Sequence, residues 1–417
     1  MNIWLLTIGE PIICENQTLR LHRTGLLAKQ IAKSGKSEVT WFTSTFNHFT
    51  KKHEFEDDEV YQPQKNLKIV ALKGRGYKKN ISIDRIIDHR NITKKFKKFS
   101  KSLQKPDIIV ASYPTRGLCK AAIDYGLKNN VKVFIDYRDL WPEVFIDIVP
   151  APFKFIFNFL FKPLFYQRKY IFKNATGLIS ITDEILNQAL VIAERKKNKY
   201  DSFFPLGYFK ARHSINEMNI AKAFWDKIIQ NDGGVNICFF GTFGHQFDFD
   251  TIIKAAEILE SKSVNFYLCG SGDKFDTLIS SSKHLKNVYF PGYMSSSQIQ
   301  ILLDKSHIGI CPYIAKKAFL SSIPGKAIEY FSNGLPVLTT LGKGVLGQLV
   351  TNENFGLNYE QNNHISLAKS IEKLMIMLEN NAIDKNKIVE YYTWNFEAET
   401  VYGNYHNFLI NKLRTNE

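Results

Sequence analysis

Short apolar runs alternate with amphipathic stretches along almost the whole chain. Ile3–Ile8 is an apolar run that ends at Gly9, and residues 19–33 carry leucine and isoleucine at helical spacing before Gly35. Further apolar runs are EVTWFTS, DIIVAS, VKVFID and GLISIT. Alternating strand-like and helix-like segments predict a mostly parallel sheet with helices on both faces. The polar segment over residues 47–66 interrupts this pattern, and we predict a loop there.

The same alternation begins again at Val235, after a polar stretch over residues 206–234. The strand-like runs of this half are VNICFFGTFG, VNFYLCGSG, NVYFPGY, IGICPY and LPVLTT. A repeated βα pattern of this length is typical of doubly wound α/β domains. We therefore predict two such domains in series, over 1–205 and 206–395, and a helix over 396–417 that crosses back to the first domain.

Composition and charge indicate which partners, metal or redox motifs and membrane segments to expect. The 417-residue chain has a net charge of +15 and a pI of about 9.3, which favours acidic partners such as nucleic acid, anionic lipid or a phosphorylated substrate. Its five cysteines form no C-x-x-C pair, so no zinc or redox motif is expected, and they fit a reducing cytosol. We predict no signal peptide, because the start MNIWLLTIGEP has no basic region before its short apolar run, and no membrane span, because no apolar run reaches about 18 residues without charges.

Glycines follow several of the strand-like runs. Gly9 follows the first run, Gly241 and Gly244 follow the run that begins at Val235, and Gly270 and Gly272 follow the next. Open α/β sheets bind ligands at the carboxyl ends of their strands, where a glycine turn lets a phosphate approach backbone N–H groups. One such turn by itself also fits a simple change of chain direction. Taken together, the turns predict an anion-binding edge.

The segment SSIPGKAIEYFSNGLPVL, residues 321–338, carries the pattern P-x-K-x-x-E-Y-x-x-x-G-x-P-V. With the strand-like runs before it, this segment resembles the GT-B glycosyltransferases of family four, which are retaining enzymes with nucleotide-sugar donors. In the first half, RLHRTGLLAKQIAKSGKSEVTWFTSTFNH and DYRDLWPE resemble bacterial surface-polysaccharide transferases, some of which add acetamido-fucose-type sugars to lipid-linked intermediates. The resemblance covers most of the chain. It implies an α/β, GT-B architecture of two Rossmann-like domains facing a cleft, the first binding acceptor and the second binding donor.

The resemblance also implies roles for single residues. The family's donor glutamate corresponds to Glu329, whose carboxylate is suited to accept hydrogen bonds from the two ribose hydroxyls. Lys326 then supplies a cation for the leaving diphosphate, although a surface Lys326–Glu329 pair is the alternative interpretation. The nucleotide-sugar-binding set predicted in this way comprises Gly9, Gly241, Thr242, Gly244, His245, Gly270, Gly272, Ser321, Ile323, Pro324, Gly325 and Glu329.

Two features depart from the family pattern. Ser321 stands where the family often has a second glutamate, and GTFGHQFDF lacks the arginine and lysine that often follow the first donor-domain strand. The diphosphate charge then falls to Lys326, His245, loop amides or a first-domain arginine. Asp248 and Asp250 form a D-x-D pattern, but they precede a helix-like segment and suit its N-cap. We therefore predict no metal site and no cofactor beyond the nucleotide-sugar substrate.

Charged residues of the first half have two interpretations each. Within DYRDLWPE, Asp139 or Glu143 is placed near an acceptor hydroxyl and Arg138 near a phosphate or a carboxylate, with Lys326 completing the predicted catalytic set. The alternative is an arginine–aspartate network that fixes the loop. Arg20 and Arg23 are either ligands of an acceptor phosphate or solvated helix charges.

The segment APFKFIFNFLFKPLFYQRKYIFK, Ala151 to Lys173, combines aromatic and basic residues at helical spacing. Its polar residues fall on one arc of a helical projection: Lys154, Asn158, Lys162, Arg168, Lys169 and Lys173. A narrow cationic face beside a wide aromatic face is typical of a helix at a membrane interface. A helix packed into the core of the first domain is the alternative.

The sequence therefore predicts a retaining glycosyltransferase that moves a sugar from a nucleotide sugar, a UDP-sugar by the resemblance, to a lipid-linked or glycan acceptor. The implied role is lipopolysaccharide O-antigen or capsule synthesis, in the cytoplasm at the inner face of the cytoplasmic membrane. The alternatives are a GT-B epimerase or hydrolase and a non-catalytic nucleotide-sugar-binding membrane adaptor. Nucleic-acid binding is disfavoured because the basic residues of 74–105 are rarely interleaved with aromatics.

Overall fold

The computed structural model describes residues 1–13, 20–139, 141, 154–229 and 233–414. The chain divides into two compact units. The first unit is Met1–Gly207 with Ala398–Glu417, and the second is Tyr208–Glu397. The sequence-based boundaries, 205/206 and 395/396, each lie two residues before these divisions.

The first unit is built on one large sheet. Its described strands are β1 (Asn2–Leu6), β2 (Glu38–Ser44), β3 (Glu59–Gln64), β4 (Leu67–Leu72), β5 (Ile108–Tyr113), β6 (Lys132–Tyr137), β7 (Gly177–Ser180) and β8 (Ser202–Phe203). They lie in the order β3-β4-β2-β1-β5-β6-β7-β8, and the pairs are parallel except for β3 with β4. Every residue of β5 is buried, as expected for a parallel strand covered on both faces.

Helices cover both faces of this sheet. Those described are α1 (Arg23–Ser34), α2 (Ile83–Phe99), α3 (Arg116–Asn129), α4 (Lys154–Lys173), α5 (Asp183–Ala193) and α15 (Ala398–Arg414). Neighbouring pairs are α2 with α3, α3 with α4, α4 with α5, and α1 with α15. Helix α1 ends at Ser34 and is capped by Gly35 with a left-handed φ of 67°, in agreement with the predicted helix stop at this glycine.

One expectation for the first unit is wrong. Residues 47–66 were predicted to be a loop, but residues 59–64 form β3, the antiparallel edge strand of the sheet. An edge strand exposes much of its surface, so a polar composition is compatible with it. The apolar alternation on which the prediction depends is weak in such a strand.

The C-terminal helix α15 completes the core of the first unit. Val401, Tyr405 and Leu409 are buried against strand residues of the sheet. Tyr405 stacks on Phe204 with ring centres 4.5 Å apart, and the Tyr402 hydroxyl accepts the Gly207 amide at 3.1 Å. These contacts hold the last segment of the chain against the first unit.

The second unit repeats the architecture. Its described strands are β9 (Val235–Thr242), β10 (Val264–Ser271), β11 (Val288–Gly292), β12 (Ile308–Cys311), β13 (Val337–Thr339) and β14 (Gly356–Asn358). The order is β11-β10-β9-β12-β13-β14, and the pairs are parallel. The described helices are α6 (Ile215–Trp225), α7 (Phe249–Ile258), α8 (Phe275–Ser281), α9 (Ser296–Lys305), α10 (Lys317–Leu320), α11 (Gly325–Phe331), α12 (Val345–Asn352), α13 (His364–Glu379) and α14 (Lys385–Asn395).

Both sheets start at a central strand and change winding direction beside it, between β1 and β5 and between β9 and β12. This order is that of a Rossmann-like doubly wound sheet, which confirms the predicted fold class. Ligands of such sheets bind beyond the carboxyl ends of the strands near the change of direction. Among the described helices, none is long and apolar enough to cross a membrane.

Candidate functional site

Glycines line the carboxyl ends of β9 and β10 in the second unit. Gly241, Gly270 and Gly272 have φ values of +140°, +141° and +148°, a region that favours glycine. A Cβ atom at Gly270 would lie 1.8 Å from the Gly241 carbonyl oxygen, so the two strand ends approach closely. The Phe243 amide also donates to the Ser271 carbonyl at 2.8 Å and joins the two ends. We call Gly241, Gly270 and Gly272 the glycine edge.

Lys326 of α11 reaches the glycine edge. A Cβ atom at Gly241 would lie 2.6 Å from the Lys326 Nζ, which also lies 4.8 Å from the centre of the Phe247 ring. Burial lowers the pKa of Lys326, whereas Cys311 and Glu329 act in the opposite direction. An ammonium group that is partly removed from water interacts strongly with an anion. The geometry therefore suits a negatively charged ligand at the end of β9.

Helix α11 is anchored by Tyr330. The buried Tyr330 hydroxyl donates toward the carbonyl oxygens of Cys238 at 3.1 Å and Ile310 at 3.3 Å. Gly309 makes room for the ring, because a Cβ atom there would lie 2.4 Å from it. Successive helical residues point about 100° apart, so the half-buried Glu329 side chain leaves the helix in another direction. Tyr330 thus sets the position of Glu329.

Gly9 of the predicted donor set lies in the first unit, whereas the remaining members outside the glycine edge lie at the end of β9, on the loop after it and around the start of α11. Thr242, His245 and Gly325 are exposed, Gly244 and Ile323 are partly exposed, and Ser321 and Pro324 are buried. Ser321 caps the C-terminus of α10, and Pro324 immediately precedes the first residue of α11. The sequence predicted that these segments belong to one site. In the structure they lie at the same edge of the sheet, because they follow the carboxyl ends of parallel strands.

Asp248 has a structural role. It is the N-cap of α7, where its Oδ1 accepts the Thr251 amide at 3.3 Å and its Oδ2 accepts the Thr251 hydroxyl at 2.7 Å. The Asn362 amide donates to the same Oδ2 at 3.0 Å. The capping interpretation is therefore confirmed for Asp248, whereas Asp250 is exposed in the first turn. Across the described residues, no group of three or more histidine, cysteine or acidic side chains is arranged to hold a metal.

A network of buried charges lies at the carboxyl end of β6 in the first unit. Asp136 is fully buried and accepts hydrogen bonds from Arg23 Nε at 2.9 Å and from Arg138 Nε at 2.9 Å. Arg138 also forms an ion pair with Glu10. Desolvation raises the pKa of Asp136, but the two guanidinium groups outweigh it and hold that pKa below its usual value. We call Glu10, Arg23, Asp136 and Arg138 the charge network.

The Glu10 carboxylate forms hydrogen bonds with the first turn of α1. Its carboxylate accepts the Thr24 amide at 2.9 Å and the Thr24 hydroxyl at 2.8 Å. A helix start is where a Rossmann-like domain often binds a phosphate. In the first unit this position is therefore occupied by a carboxylate of the protein itself, which follows the glycine turn at Gly9.

The structure corrects the assignment of Arg23 and Arg138 to the acceptor. Arg23 is 3% exposed, and its Nη1 donates to the carbonyl oxygens of Phe204 at 2.7 Å and Pro205 at 2.8 Å. It is neither a phosphate ligand nor a solvated helix charge, because its guanidinium is bound by the protein. Arg138 agrees with the alternative of an arginine–aspartate network.

The other charged candidates of the first unit lie in different settings. Asp139 follows β6 and is exposed, yet the protein around its carboxyl raises its pKa, an effect that Arg138 opposes. Arg20 is also exposed, just before α1. Glu143 lies outside the described residues, as do residues 151–153 of the predicted amphipathic segment.

Helix α4 exposes an aromatic surface. Phe155, Phe159 and Leu160 are 81%, 69% and 63% exposed, and Lys162 is exposed beside them. Arg168, in contrast, is buried and donates to the Trp141 carbonyl at 2.8 Å. The predicted arc of solvated charges is therefore wrong at Arg168. The side chains described in the first half of α4 are not packed in a core.

Sequence reasoning missed Glu10 and Tyr330, both of which fix the candidate sites. Glu10 lies 14 residues before Thr24, so no local pattern linked its carboxylate to the start of α1. Tyr330 follows Glu329 directly, and its tyrosine hydroxyl needs a partner when buried. Asp136 belongs to the DYRDLWPE segment, in which the sequence predicted ligand roles only for Arg138, Asp139 and Glu143.

Comparisons with known proteins agree with this architecture. Residues 222–390 match the model of the family described as "Glycosyl transferases group 1". No curated protein sequence matches the chain. The family match falls on the second unit, which contains the glycine edge, Lys326 and Glu329.

Several solved structures share the fold over the whole chain. A sucrose-phosphate synthase from Thermosynechococcus elongatus has a TM-score of 0.72 at 15% identity and covers 100% of both chains. Anabaena Alr3699/HepE, in complex with UDP and glucose, has a TM-score of 0.62 at 13% identity and covers 99% of this chain and 100% of its own. WaaG, described as a glycosyltransferase involved in lipopolysaccharide biosynthesis, has a TM-score of 0.59 at 13% identity, with 98% and 99% covered. The chain thus has the GT-B fold, and its second unit contains the region that matches the group 1 family model.

Proposed function

We propose that this protein is a retaining glycosyltransferase whose second unit binds a nucleotide sugar, with UDP as the nucleotide. The observation that carries the proposal is the Lys326 ammonium against Gly241 at the glycine edge, three residues before Glu329. The group 1 family match over this unit supports the reaction class. Structural neighbours in complex with UDP and UDP-glucose support the choice of nucleotide.

The chemistry follows from the positions of Lys326 and Glu329. Glu329 accepts hydrogen bonds from the ribose hydroxyls, and Lys326 stabilises the negative charge on the diphosphate as it leaves the anomeric carbon. The bond from the anomeric carbon to the diphosphate oxygen breaks, and a bond to the acceptor oxygen forms on the same face of the sugar. The proton of the acceptor hydroxyl passes to a base, for which exposed Asp139 of the first unit is our candidate.

The acceptor is proposed to be lipid-linked, and α4 is proposed to contact an anionic membrane surface. The exposed Phe155, Phe159 and Leu160 carry apolar area, and Lys162 can extend its amine toward phosphate headgroups. A net charge of +15 adds attraction to an anionic leaflet. The proposed setting is the cytoplasmic face of the membrane, in surface-polysaccharide synthesis.

The function is tested with purified protein and a panel of nucleotide sugars. Calorimetry should detect one preferred UDP-sugar, and adding membrane lipid extract should give transfer of its sugar to lipid. Turnover of the UDP-sugar without lipid would instead indicate an epimerase or hydrolase, and binding without any turnover would indicate an adaptor.

In the same assay, the Asp139→Asn variant should keep donor binding and lose sugar transfer, because an amide cannot accept the proton of the acceptor hydroxyl. Normal transfer by that variant would remove Asp139 as the base.

The membrane contact is tested by flotation with vesicles. Wild-type protein should bind vesicles containing phosphatidylglycerol at low salt and dissociate at high salt. Replacing Phe155, Phe159 and Lys162 by serine should reduce binding and leave UDP-sugar affinity unchanged. The matched control replaces Ile215, Ile220 and Lys222 of α6, also exposed on a helix, and should not change vesicle binding. Equal binding by both triple variants would contradict the role of α4.

A further inference from the structure

A second cluster of polar and aromatic side chains lies on the loops that follow β2 and β4. The His48 Nδ1 and the Tyr77 hydroxyl are 2.7 Å apart and share a hydrogen bond. The turn at Gly9 is adjacent, since a Cβ atom there would lie 3.8 Å from the His48 Cβ. The cluster therefore lies at the strand-end edge of the first sheet, beside the charge network but separate from it.

Two cations pack against the Tyr77 ring. Lys51 Nζ is 5.1 Å and Arg85 Cζ is 5.7 Å from the ring centre. Asn80 links them, because its side-chain oxygen accepts from Lys51 and its backbone carbonyl accepts from Arg85 at 2.8 Å. The ring and the Asn80 bonds hold the charge of Lys51, on the loop after β2, near the charge of Arg85, in the first turn of α2.

Neither cation contacts an acidic side chain directly in the part of the chain that the structure describes, although Arg85 acts on the buried Asp88 from a distance, lowering a pKa that desolvation raises more strongly. Among the described residues, no carboxylate forms an ion pair with Lys51 or Arg85. Asp84 pairs with Arg75 at 3.3 Å, and Asp88 is buried beneath the loop, where it accepts the Gly76 amide at 2.8 Å. Desolvation lowers the pKa of Lys51, and the charge of Arg85 lowers it further. An anion that binds between or beside two like charges held in this way offsets their mutual repulsion and stabilises both charged groups.

Exposed apolar side chains lie within a few residues of the two cations along the chain. Phe49, two residues before Lys51, is 58% exposed. Ile81, directly after Asn80, and Ile83, the first residue of α2, are 71% and 76% exposed. Inorganic phosphate or a free sugar phosphate has no apolar part that could contact these exposed side chains. The combination fits an amphiphile that has an anionic head and an apolar chain.

We propose that Lys51 and Arg85, positioned by Tyr77 and Asn80, bind the phosphate or diphosphate group of an amphiphile whose apolar chain lies against Phe49, Ile81 and Ile83. This inference rests on the proposed function only in identifying the amphiphile as the lipid-linked acceptor. The charge network cannot supply this contact, because its guanidinium groups are bound by Asp136 and Glu10. Lys51 and Arg85 thus take the role that sequence reasoning gave to Arg23 and Arg138.

The test uses the whole protein and three soluble probes: geranyl diphosphate, inorganic pyrophosphate and geraniol. Wild-type protein should bind geranyl diphosphate more tightly than either of the other two, because only it offers both the charge and the chain. The double variant Lys51→Met and Arg85→Met should weaken geranyl diphosphate binding by about tenfold or more, since it removes two charge-assisted contacts. The matched control is Lys52→Met with Lys78→Met, two exposed lysines of the same loops, which should bind like wild type.

Two further measurements separate the outcomes. UDP affinity of the Lys51/Arg85 variant should equal that of wild type, so a failure of the donor proposal is visible independently of this site. Flotation with phosphatidylglycerol vesicles identifies the source of the phosphate. Vesicle binding that survives in the variant indicates an acceptor phosphate, and its loss indicates lipid headgroups. Geranyl diphosphate binding that is equal in the variant and in wild type, or no tighter than pyrophosphate binding, would overturn the proposal.

Discussion

Replacing Asp136 by asparagine is expected to lower the free energy of unfolding of the first unit by about 3–5 kcal/mol. Asp136 is fully buried and forms ion pairs with both Arg23 and Arg138. The neutral amide leaves Arg138 paired with Glu10, and it leaves the buried Arg23 guanidinium without the carboxylate that it contacts. The loss is measured by urea unfolding, with hydrogen exchange of β1 and β6 separating the first unit from the second.

The control for Asp136 is Asp124→Asn. Asp124 pairs with Lys120 on the surface of the same unit, and such pairs contribute about 0–1 kcal/mol. Equal losses from the two substitutions would show that the charge network does not stabilise the fold.

The pH dependence of the Asp136 effect has a defined direction. The pKa of Asp136 is lower in the folded protein than in the unfolded chain, where it is about 3.9. Its contribution is therefore fully present above the unfolded pKa and is lost as the pH falls through the folded pKa. The difference between wild type and Asp136→Asn should be constant near neutral pH and should shrink only in strong acid.

Replacing Glu329 by alanine is expected to weaken UDP binding by about 2–3 kcal/mol, which is about 30- to 150-fold in Kd. The proposed cause is the loss of a carboxylate that accepts hydrogen bonds from the two ribose hydroxyls. The fold should survive, because Glu329 is half-buried and α11 is anchored by Tyr330. Calorimetry with UDP measures the loss, and circular dichroism checks the fold.

A second ligand makes the Glu329 test specific. If the carboxylate binds the ribose, 2′-deoxy-UDP should bind wild type more weakly than UDP does, and the Glu329→Ala variant should bind the two equally. Glu372→Ala, which removes a surface partner of Lys262 in the same unit, should leave both affinities unchanged. UDP affinity near that of wild type in the Glu329 variant would place the ribose elsewhere.

The sequence by itself determined the fold class and the order of elements. Apolar runs such as VKVFID and VNICFFGT are strands buried on most of their length, because a parallel sheet covered on both faces requires continuous apolar segments. The same pattern did not reveal β3, since an edge strand needs no such run. The glycines at the carboxyl ends of β9 and β10 were also predictable as a feature of the site, because the positive φ values of Gly241, Gly270 and Gly272 exclude most other residues.

Only the tertiary structure decided which charged residues are available to a ligand. Arg23 and Arg138 looked like acceptor ligands in the sequence, yet they are bound by Asp136, which lies 113 residues from Arg23 along the chain. Lys51 and Arg85, for which the sequence predicted no ligand, are brought to the Tyr77 ring because Lys51 lies on the loop after β2, Tyr77 on the loop after β4 and Arg85 in the first turn of α2. A local pattern reports the period of burial along one element, whereas charge pairing depends on which strand ends become neighbours in the sheet. That neighbourhood is set by the winding order of the strands, and no short segment of the chain contains it.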